Sequence, residues 1–191
     1  MKAAVITADG LKIQDVPRPD PKPNEVLVRV RAAGLNRADL AMTSGLAYGH
    51  AGGQGTIAGL EFAGEVAEVG ASVQGFRPGD RVMCFGGGGY AEFAVADYGR
   101  CVPIPANNMS FEQAATLPVA LLTMHNAVVS AGRLRTGESV LIQGASSGVG
   151  LTGMQIAKLM GAKLVLGSST SASRRARLRI PVTMNGQSVP S

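Results

Sequence analysis

A glycine-rich turn at residues 144–150, GASSGVG, carries the residue types that can hold a phosphate group. It follows the apolar segment SVLIQ and precedes LTGMQIAKLM, in which apolar residues recur at helical spacing. A helix that begins directly after such a turn offers free backbone N–H groups and a partial positive charge to an anion. The turn therefore predicts a pyrophosphate site, to which Ser146, Ser147, Gly148 and Val149 contribute. The alternative is an ordinary tight connection between a strand and a helix.

The end of the next predicted strand distinguishes NAD from NADP. An acidic residue about 20 positions after the turn would bind the ribose 2′-hydroxyl group of NAD. Ser168 and Ser169 stand there instead, Arg174 follows, and no acidic residue comes after Glu138. Because guanidinium and hydroxyl groups suit a 2′-phosphate, the segment predicts NADP(H) as the cofactor. The alternative is that Arg174, Arg175 and Arg177 belong to a solvated basic face.

The charge distribution agrees with an anionic nucleotide as ligand. The net charge is +5, and six basic residues but no acidic residue follow Glu138. A basic tail can indicate nucleic acid binding, but no aromatic residue lies among these basic residues and no reader motif is present. We therefore expect no nucleic-acid partner.

Thiol, metal and membrane chemistry are not favoured. Cys84 and Cys101 lie 17 positions apart without a CxxC motif, so we expect both to be reduced and buried. His50 and His125 do not cluster with other ligand types at the spacing of a zinc site, and we expect both to be structural. No apolar run reaches the ~18 residues of a membrane span, and the apolar start is too short for a signal peptide. We therefore expect a cytoplasmic protein without a metal or a membrane partner.

The elements that position these residues fall into two parts. Residues 2–7 predict a strand, residues 25–34 alternate as in a half-buried strand, and two further glycine-punctuated segments predict an irregular β-rich domain of small-barrel type. At Ser110 the pattern changes, because Ser110 and Gln113 form a capping box that starts a helix. Pro118 interrupts or kinks that helix, which continues to about Gly132.

A single βαβ unit follows. Residues 139–143 predict a strand that is apolar and buried throughout, as in the centre of a parallel sheet. The helix after the turn places Leu151, Met154, Ala157 and Met160 on one face and stops at Gly161. A second strand is predicted in AKLVLGSST. The short-chain dehydrogenases are excluded, since no tyrosine of this chain has a lysine four positions later and none follows the turn.

Five segments in this order are similar to one known family: AAGLNRADL, GLEFAGEVAEVG, FRPGDRV, GGGYAEF and GESVLIQGASSGVG. Over about residues 1–178 the chain resembles the quinone oxidoreductase (zeta-crystallin-like) branch of the medium-chain dehydrogenase/reductase family. The resemblance implies an α/β protein with a GroES-like barrel domain at residues 1–122, a partial Rossmann (parallel, doubly wound) domain at 123–178 and an atypical tail at 179–191. It also implies hydride transfer from NADPH to a quinone or an α,β-unsaturated carbonyl.

The resemblance assigns roles to individual residues. Asn36 is implied beside the nicotinamide and the substrate, Thr123 beside the nicotinamide, and Tyr48 near the substrate as a possible proton donor. Alternatively, Asn36 caps a turn, Thr123 belongs to the core and Tyr48 is an ordinary loop residue, while Asp39 forms a structural ion pair or cap. The pyrophosphate turn and the 2′-phosphate pocket are implied at the residues named above.

Both zinc sites of the family's alcohol dehydrogenases are expected to be absent. Those enzymes carry Gly-His-Glu where this chain has Gly59, Leu60 and Glu61, and they carry a cysteine-histidine pair within the segment where this chain has Gly34–Arg37. A cysteine-rich structural loop is also missing after Val82. Without a metal, positioning and local hydrogen-bond donors must polarise the carbonyl group.

The end of the chain departs from the family pattern. The family continues to a six-stranded Rossmann sheet, whereas this sequence ends after the second strand, and Pro181 breaks the helix that begins in SASRRARL. We therefore expect a truncated product, with a change of reading frame near Arg179. Weak NADPH binding, low turnover and a compromised family-type homodimer are expected to follow. The alternative function is a fragment that binds only a nucleotide or a partner.

Overall fold

The computed structural model describes residues 1–44, 52–106 and 109–176, which divide into two compact units, Met1–Val119 and Ala120–Ser191. The boundary between the units, after Val119, lies inside a helix that begins at Pro118. The sequence predicted this boundary three residues later, after residue 122.

The first unit is built on an antiparallel sheet. Its strands are β1 (Lys2–Thr7), β2 (Gly10–Asp15), β3 (Glu25–Ala33), β4 (Glu61–Val69), β5 (Arg81–Phe85), β6 (Phe93–Asp97) and β7 (Cys101–Pro103). Five of them form a sheet in the order β6-β3-β4-β5-β7, and β1 pairs with β2. Two isolated bridges, Ala3 to Ala91 and Val5 to Ile57, connect β1 to the rest of the unit. The predicted β-rich first part is thereby confirmed, while β2, whose residues are mostly exposed, was not predicted.

The sheet of the first unit is covered on both faces. Phe62 on β4 lies fully buried in one core cluster with Val26 and Val28, whereas its neighbour Ala63 belongs to a second cluster with Ala114 and Ala115. Successive residues of a strand point to opposite faces, so β4 is buried on both sides. Leu27 on β3 is also fully buried. The prediction of a half-buried β3 is therefore wrong at Leu27.

Three helices belong to this unit or begin in it. They are α1 (Arg37–Thr43), α2 (Phe111–Ala115) and α3 (Pro118–His125). Ser110 caps α2 in a capping box with Gln113, and the helical path breaks before Pro118, as predicted. Beyond His125 the chain continues as a π-helical segment, Asn126–Ala131. Gly132 is the C-cap of this segment, so the helical path ends about where it was predicted to end.

The second unit contains the predicted βαβ unit. Its elements are β8 (Ser139–Ile142), α4 (Gly148–Leu159), β9 (Leu164–Gly167) and α5 (Ala172–Ala176). β8 and β9 pair in parallel, so the predicted strand, turn, helix and strand are confirmed. Helix α4 buries Met154 and Ala157 against Ile142. Met160 is the C-cap that follows Leu159, and it is 38% exposed, unlike the buried Met154 and Ala157.

Within the part of the chain that the structure describes, the apolar β8 strand is covered on one face only. Ile142 is buried under α4, but Leu141 is 57% exposed together with Leu164 and Leu166 on β9. Leu141 pairs in register with Leu166, so these leucines point to the same face of the sheet. The prediction of a strand buried on both faces is therefore wrong at Leu141.

Candidate functional site

The turn between β8 and α4 has the geometry of an anion site. Gly144 adopts a positive φ of 65°, which a glycine adopts without steric cost, and reverses the chain after β8. Ser147 is the N-cap of α4, so Gly148 and Val149 occupy the first two helical positions. The N–H groups at these positions have no acceptor within the helix itself and are available to an external anion.

The Ser147 hydroxyl group closes this turn. Its Oγ donates to the Gly144 carbonyl oxygen at 2.8 Å and accepts the Gly150 N–H at 3.0 Å. A serine hydroxyl has a single proton, which is used here. The Ser147 hydroxyl proton is therefore committed to the turn, and its contacts hold the start of α4 at Gly148 and Val149 in place.

The glycines of the turn differ in what surrounds them. A Cβ at Gly150 would lie 2.5 Å from the Gly144 carbonyl oxygen, so the backbone packs too closely there for any side chain. A Cβ at Gly148 would meet no atom within 4 Å. The start of α4 is therefore open at Gly148, where a pyrophosphate would approach the backbone.

Serine side chains connect the turn to the end of β9. The Oγ atoms of Ser146 and Ser169 lie 2.8 Å apart, and the Ser169 Oγ accepts the Ser171 N–H at 3.3 Å. The Ser171 Oγ in turn accepts the N–H of Arg174 at 3.3 Å. The predicted residues Ser146, Ser169 and Arg174 thus lie along one chain of contacts within the second unit.

Ser171 and Ser168 also take part in the contacts at the end of β9. Ser171 was not predicted, although a serine three residues before Arg174 at the start of a helical segment is a recognisable cap signal. Ser168 uses its backbone to extend the strand contacts, since its N–H donates to Ile142 at 3.0 Å and its carbonyl accepts from Ala145 at 2.9 Å. The Ser168 side chain is exposed.

Thr123 lies on α3 and is exposed. The alternative that Thr123 belongs to the core is therefore excluded. Its role beside a nicotinamide stays a prediction.

A partly buried polar cluster contains Asn36 in the first unit. Asn36 is the N-cap of α1, and its backbone N–H donates to Asp39 Oδ2 at 2.7 Å, which agrees with the alternative that Asn36 has a capping role. The Asn36 side chain reaches further, because its Nδ2 donates to Glu61 Oε1 at 2.8 Å. The Tyr90 hydroxyl donates to Asp39 Oδ2 at 2.6 Å. The cluster, which we call the Asn36 cluster, consists of Asn36, Asp39, Glu61 and Tyr90.

Both acids of the Asn36 cluster are buried. Glu61 is 3% exposed and Asp39 is 6% exposed. Asp39 acts as a helix cap, one of its two predicted structural roles, and its Oδ1 atom has no hydrogen-bond partner among the described residues. Glu61 Oε2 accepts the backbone N–H of Val119 at 2.8 Å. Sequence reasoning assigned no contact with Asn36 to Glu61 or Tyr90, which lie 25 and 54 positions away. Both stand in segments that carry the family resemblance, GLEFAGEVAEVG and GGGYAEF, and that is the signal that could have pointed to them.

Burial dominates the titration of this cluster. Removal of Glu61 from water raises its pKa, the hydrogen bonds from Val119 and Asn36 lower it, and the nearby Asp39 raises it further. Burial and the hydrogen bond to Asp39 also raise the pKa of the Tyr90 hydroxyl. Tyr90 is therefore a hydrogen-bond donor at neutral pH rather than an anion.

Tyr48 and His50 lie outside the described residues, so the role of Tyr48 stays a prediction. Cys84 and Cys101 are free and buried, as predicted. Within the described ranges no group of three or more His, Cys, Asp or Glu side chains is arranged to hold a metal ion. In the same part of the chain, no helix is both long and apolar enough to cross a bilayer.

Residues 22–106 match the alcohol dehydrogenase GroES-like domain. The chain is 42% identical over 164 residues to a quinone oxidoreductase from Mus musculus, an alignment that covers 84% of this chain and 49% of that protein. The chain thus spans about half the length of the curated relatives it matches.

Solved structures give the same relationship. An alcohol dehydrogenase superfamily protein from Novosphingobium aromaticivorans superposes with a TM-score of 0.81 at 32% identity, over 92% of this chain and 56% of that one. The CurK enoyl reductase superposes with a TM-score of 0.79 at 30% identity, over 92% and 57% of the two chains.

Proposed function

Because the chain belongs to the medium-chain dehydrogenase/reductase family, we propose that it functions as an NADPH-dependent oxidoreductase of the quinone reductase type. The cofactor supplies a hydride, and a quinone or an α,β-unsaturated carbonyl accepts the hydride and a proton. The relative from mouse is named a quinone oxidoreductase, and the CurK protein is named an enoyl reductase. These names support the two acceptor classes.

The observation that carries the proposal is the open start of α4. Gly148 and Val149 present N–H groups that the helix does not use, and a Cβ at Gly148 would meet no atom of the described residues within 4 Å apart from its own turn of helix. An anionic pyrophosphate gains from both the N–H groups and the helix dipole. The residues present therefore fit a dinucleotide.

NADP rather than NAD is proposed on the chemistry of the β9 end. Ser169 and Arg174 follow this strand, and no carboxylate lies after Glu138 to repel a 2′-phosphate or to bind a 2′-hydroxyl group. A guanidinium group pairs well with phosphate oxygens. Arg174 would hold the 2′-phosphate, and Ser168 and Ser169 would donate to it.

We propose that the reaction proceeds without zinc. Leu60 has no ligating atom. One N–H of the Asn36 amide donates to Glu61, and because an amide NH₂ group has two protons, the second can donate to an acceptor. Polarisation of the acceptor must then come from hydrogen-bond donors. Asn36, with Tyr48 as proton donor, is the proposed set; metal analysis of the purified protein and an assay in the presence of a chelator test the absence of zinc.

The pyrophosphate site is tested by a matched pair of substitutions at Gly148. The variants Gly148→Asp and Gly148→Asn add side chains of nearly the same size, but only the former adds a negative charge beside the bound anion. Aspartate also favours a helix N-terminus, so the fold is retained while NADPH binding weakens. We expect Gly148→Asp to bind NADPH about tenfold more weakly than Gly148→Asn, as read from NADPH fluorescence.

The cofactor preference and the reaction need separate assays. Arg174→Ala should weaken NADPH binding more than NADH binding, whereas Lys163→Ala removes one positive charge before β9 and should leave the preference unchanged. Oxidation of NADPH is then followed with a quinone and with an enone. Equal loss in the Gly148→Asp and Gly148→Asn variants would argue against an anion at this turn.

A second candidate function is nucleotide or partner binding without turnover. The exposed leucine face of the β8-β9 sheet, formed by Leu141, Leu164 and Leu166, favours it, because an apolar face of this kind is commonly a binding surface. NADPH binding without oxidation of NADPH by either acceptor class would support this alternative.

A further inference from the structure

Glu61 joins two backbone segments that are far apart in the sequence. One carboxylate oxygen accepts the Asn36 side-chain amide at 2.8 Å, and the other accepts the backbone N–H of Val119 at 2.8 Å. Asn36 lies at the start of α1, and Val119 lies in the first turn of α3. A single side chain on β4 therefore fixes the starts of two helices.

The chemistry of the two contacts requires a carboxylate. Both partners donate a hydrogen, and an ionised carboxylate accepts at both oxygens. The contact also determines the orientation of the Asn36 amide, because only its NH₂ group can face Glu61. A neutral amide at position 61 would offer one acceptor and one donor to the same two donors.

The carboxylate has little room to move. A Cβ at Gly34 would collide with Glu61 Oε1 and would lie 2.5 Å from the Ala115 carbonyl oxygen. Glu61 is 3% exposed, so water does not compete for its oxygens. Burial also favours the hydrogen-bonded arrangement over a solvated one, since a buried charge without partners is costly.

We propose that Glu61 is a positioning residue that holds the Asn36 amide in one orientation. Through its second oxygen it also fixes the distance between this amide and the first turn of α3. The proposal rests on the proposed function, in which Asn36 contacts the nicotinamide or the substrate. Glu61 itself touches neither. Its effect on the reaction is exerted through Asn36.

The test compares Glu61→Gln with Glu65→Gln. Both variants remove one carboxylate from β4, but Glu65 pairs with Arg31 at the surface at 2.7 Å and contacts neither Asn36 nor Val119. In the ¹⁵N-labelled protein, we expect Glu61→Gln to shift the Asn36 side-chain NH₂ and Val119 N–H resonances and to speed their exchange with water. Glu65→Gln should leave both resonances in place.

Rescue by a reciprocal pair distinguishes positioning from general stability. In the double variant Glu61→Gln/Asn36→Asp, the glutamine NH₂ can donate to the new carboxylate while its oxygen accepts the Val119 N–H. We expect the Val119 resonance to return towards its wild-type position. Activity should not return, because the Asn36 amide is lost.

Kinetics test the consequence for the reaction. We expect kcat of Glu61→Gln to fall by about tenfold to a hundredfold, since a small misplacement of a positioning group has effects of that size. KM for NADPH should stay within about twofold, because the phosphate-binding turn lies elsewhere in the chain. A larger isotope effect with NADPH deuterated at C4 should accompany the loss.

The outcomes separate the two proposals. Unshifted Asn36 and Val119 resonances in Glu61→Gln would overturn the positioning role, and so would shifted resonances with kinetics equal to those of Glu65→Gln. If the wild-type chain oxidises no NADPH with any acceptor, the proposed function fails. The resonance shifts and the reciprocal rescue then decide alone whether Glu61 positions Asn36.

Discussion

At Glu61, burial and hydrogen bonding act on one carboxyl group in opposite directions. Burial is the larger effect and raises the pKa, although the Val119 and Asn36 donors lower it. A raised folded-state pKa means that the folded chain binds this proton more tightly than the unfolded chain does. The resulting stabilisation is fully present below the unfolded pKa, near 4.5, and is lost as pH rises through the folded pKa.

The corresponding prediction concerns stability against pH. We expect the difference in unfolding free energy between the wild type and Glu61→Gln to decrease as pH rises above about 4.5, because only the wild type carries the titrating group. Urea unfolding at a series of pH values measures it. A difference that grows with pH over this range would contradict the assigned direction.

The two cysteines lead to a prediction about thiol reactivity. The Cys84 and Cys101 Sγ atoms lie 3.3 Å apart on paired strands, and Cys84 is fully buried. The hydrogen bond to Cys101, with burial, raises the pKa of the Cys84 thiol, and only the thiolate is reactive. We expect a thiol reagent at pH 8 to label the folded chain far more slowly than the unfolded chain, which should show two reactive thiols. Rapid labelling of the folded chain would contradict the buried arrangement.

Local and distant interactions differ in how well they could be predicted. The cap formed by Ser110 and Gln113 and the N-terminal position of Gly148 follow from neighbours three residues apart, so pattern alone located them. The Asn36–Glu61 contact spans 25 positions and depends on how β4 lies beside α1. No local periodicity encodes such a contact, and the resemblance that implicated Asn36 did not indicate its partner.

At the scale of the helix, two glycines of α4 offer a matched comparison. A Cβ at Gly150 would meet backbone, with the Gly144 carbonyl oxygen at 2.5 Å, whereas a Cβ at Gly153 would meet the flexible end of Met124. Backbone cannot give way, but a methionine can change rotamer.

We therefore expect Gly150→Ala to destabilise the fold by about 1–3 kcal/mol, as overpacking commonly does. Gly153→Ala should cost less, because alanine regains about 1 kcal/mol of helix propensity over glycine. Thermal unfolding of the two variants measures the difference. Equal costs would mean that the turn before α4 adapts more easily than its close packing implies.

Elements differ in the same way as residues. β3 and α4 were predictable because their apolar spacing reports which face is buried. β2 and α1 were not, since β2 is mostly exposed and α1 has only seven residues, too few for a periodic signal. Their positions are determined by pairing with β1 and by the cap at Asn36 rather than by local composition.

At the scale of the whole molecule, the change from strand patterns to helix signals at Ser110 predicted two parts, and the chain divides into two compact units. What the sequence could not report was the cover of the β8-β9 sheet. A continuous apolar strand predicts burial on both faces, but the leucine face of Leu141, Leu164 and Leu166 is about half exposed. The apolar composition of a strand predicts that both of its faces are buried, but it does not identify the element that buries each face.

This face yields a last prediction. Three leucines on one sheet face form a contiguous apolar surface, and burying such a surface is favourable by roughly 25 cal/mol per Å². We expect the wild-type chain to bind the dye ANS and to associate with increasing concentration, as measured by dye fluorescence and sedimentation velocity. Leu166→Lys should reduce both. Leu159→Lys adds the same charge at a leucine of α4 that is 85% exposed, and it should change neither by as much. Equal effects of the two substitutions would show that net charge, rather than the leucine face, controls association.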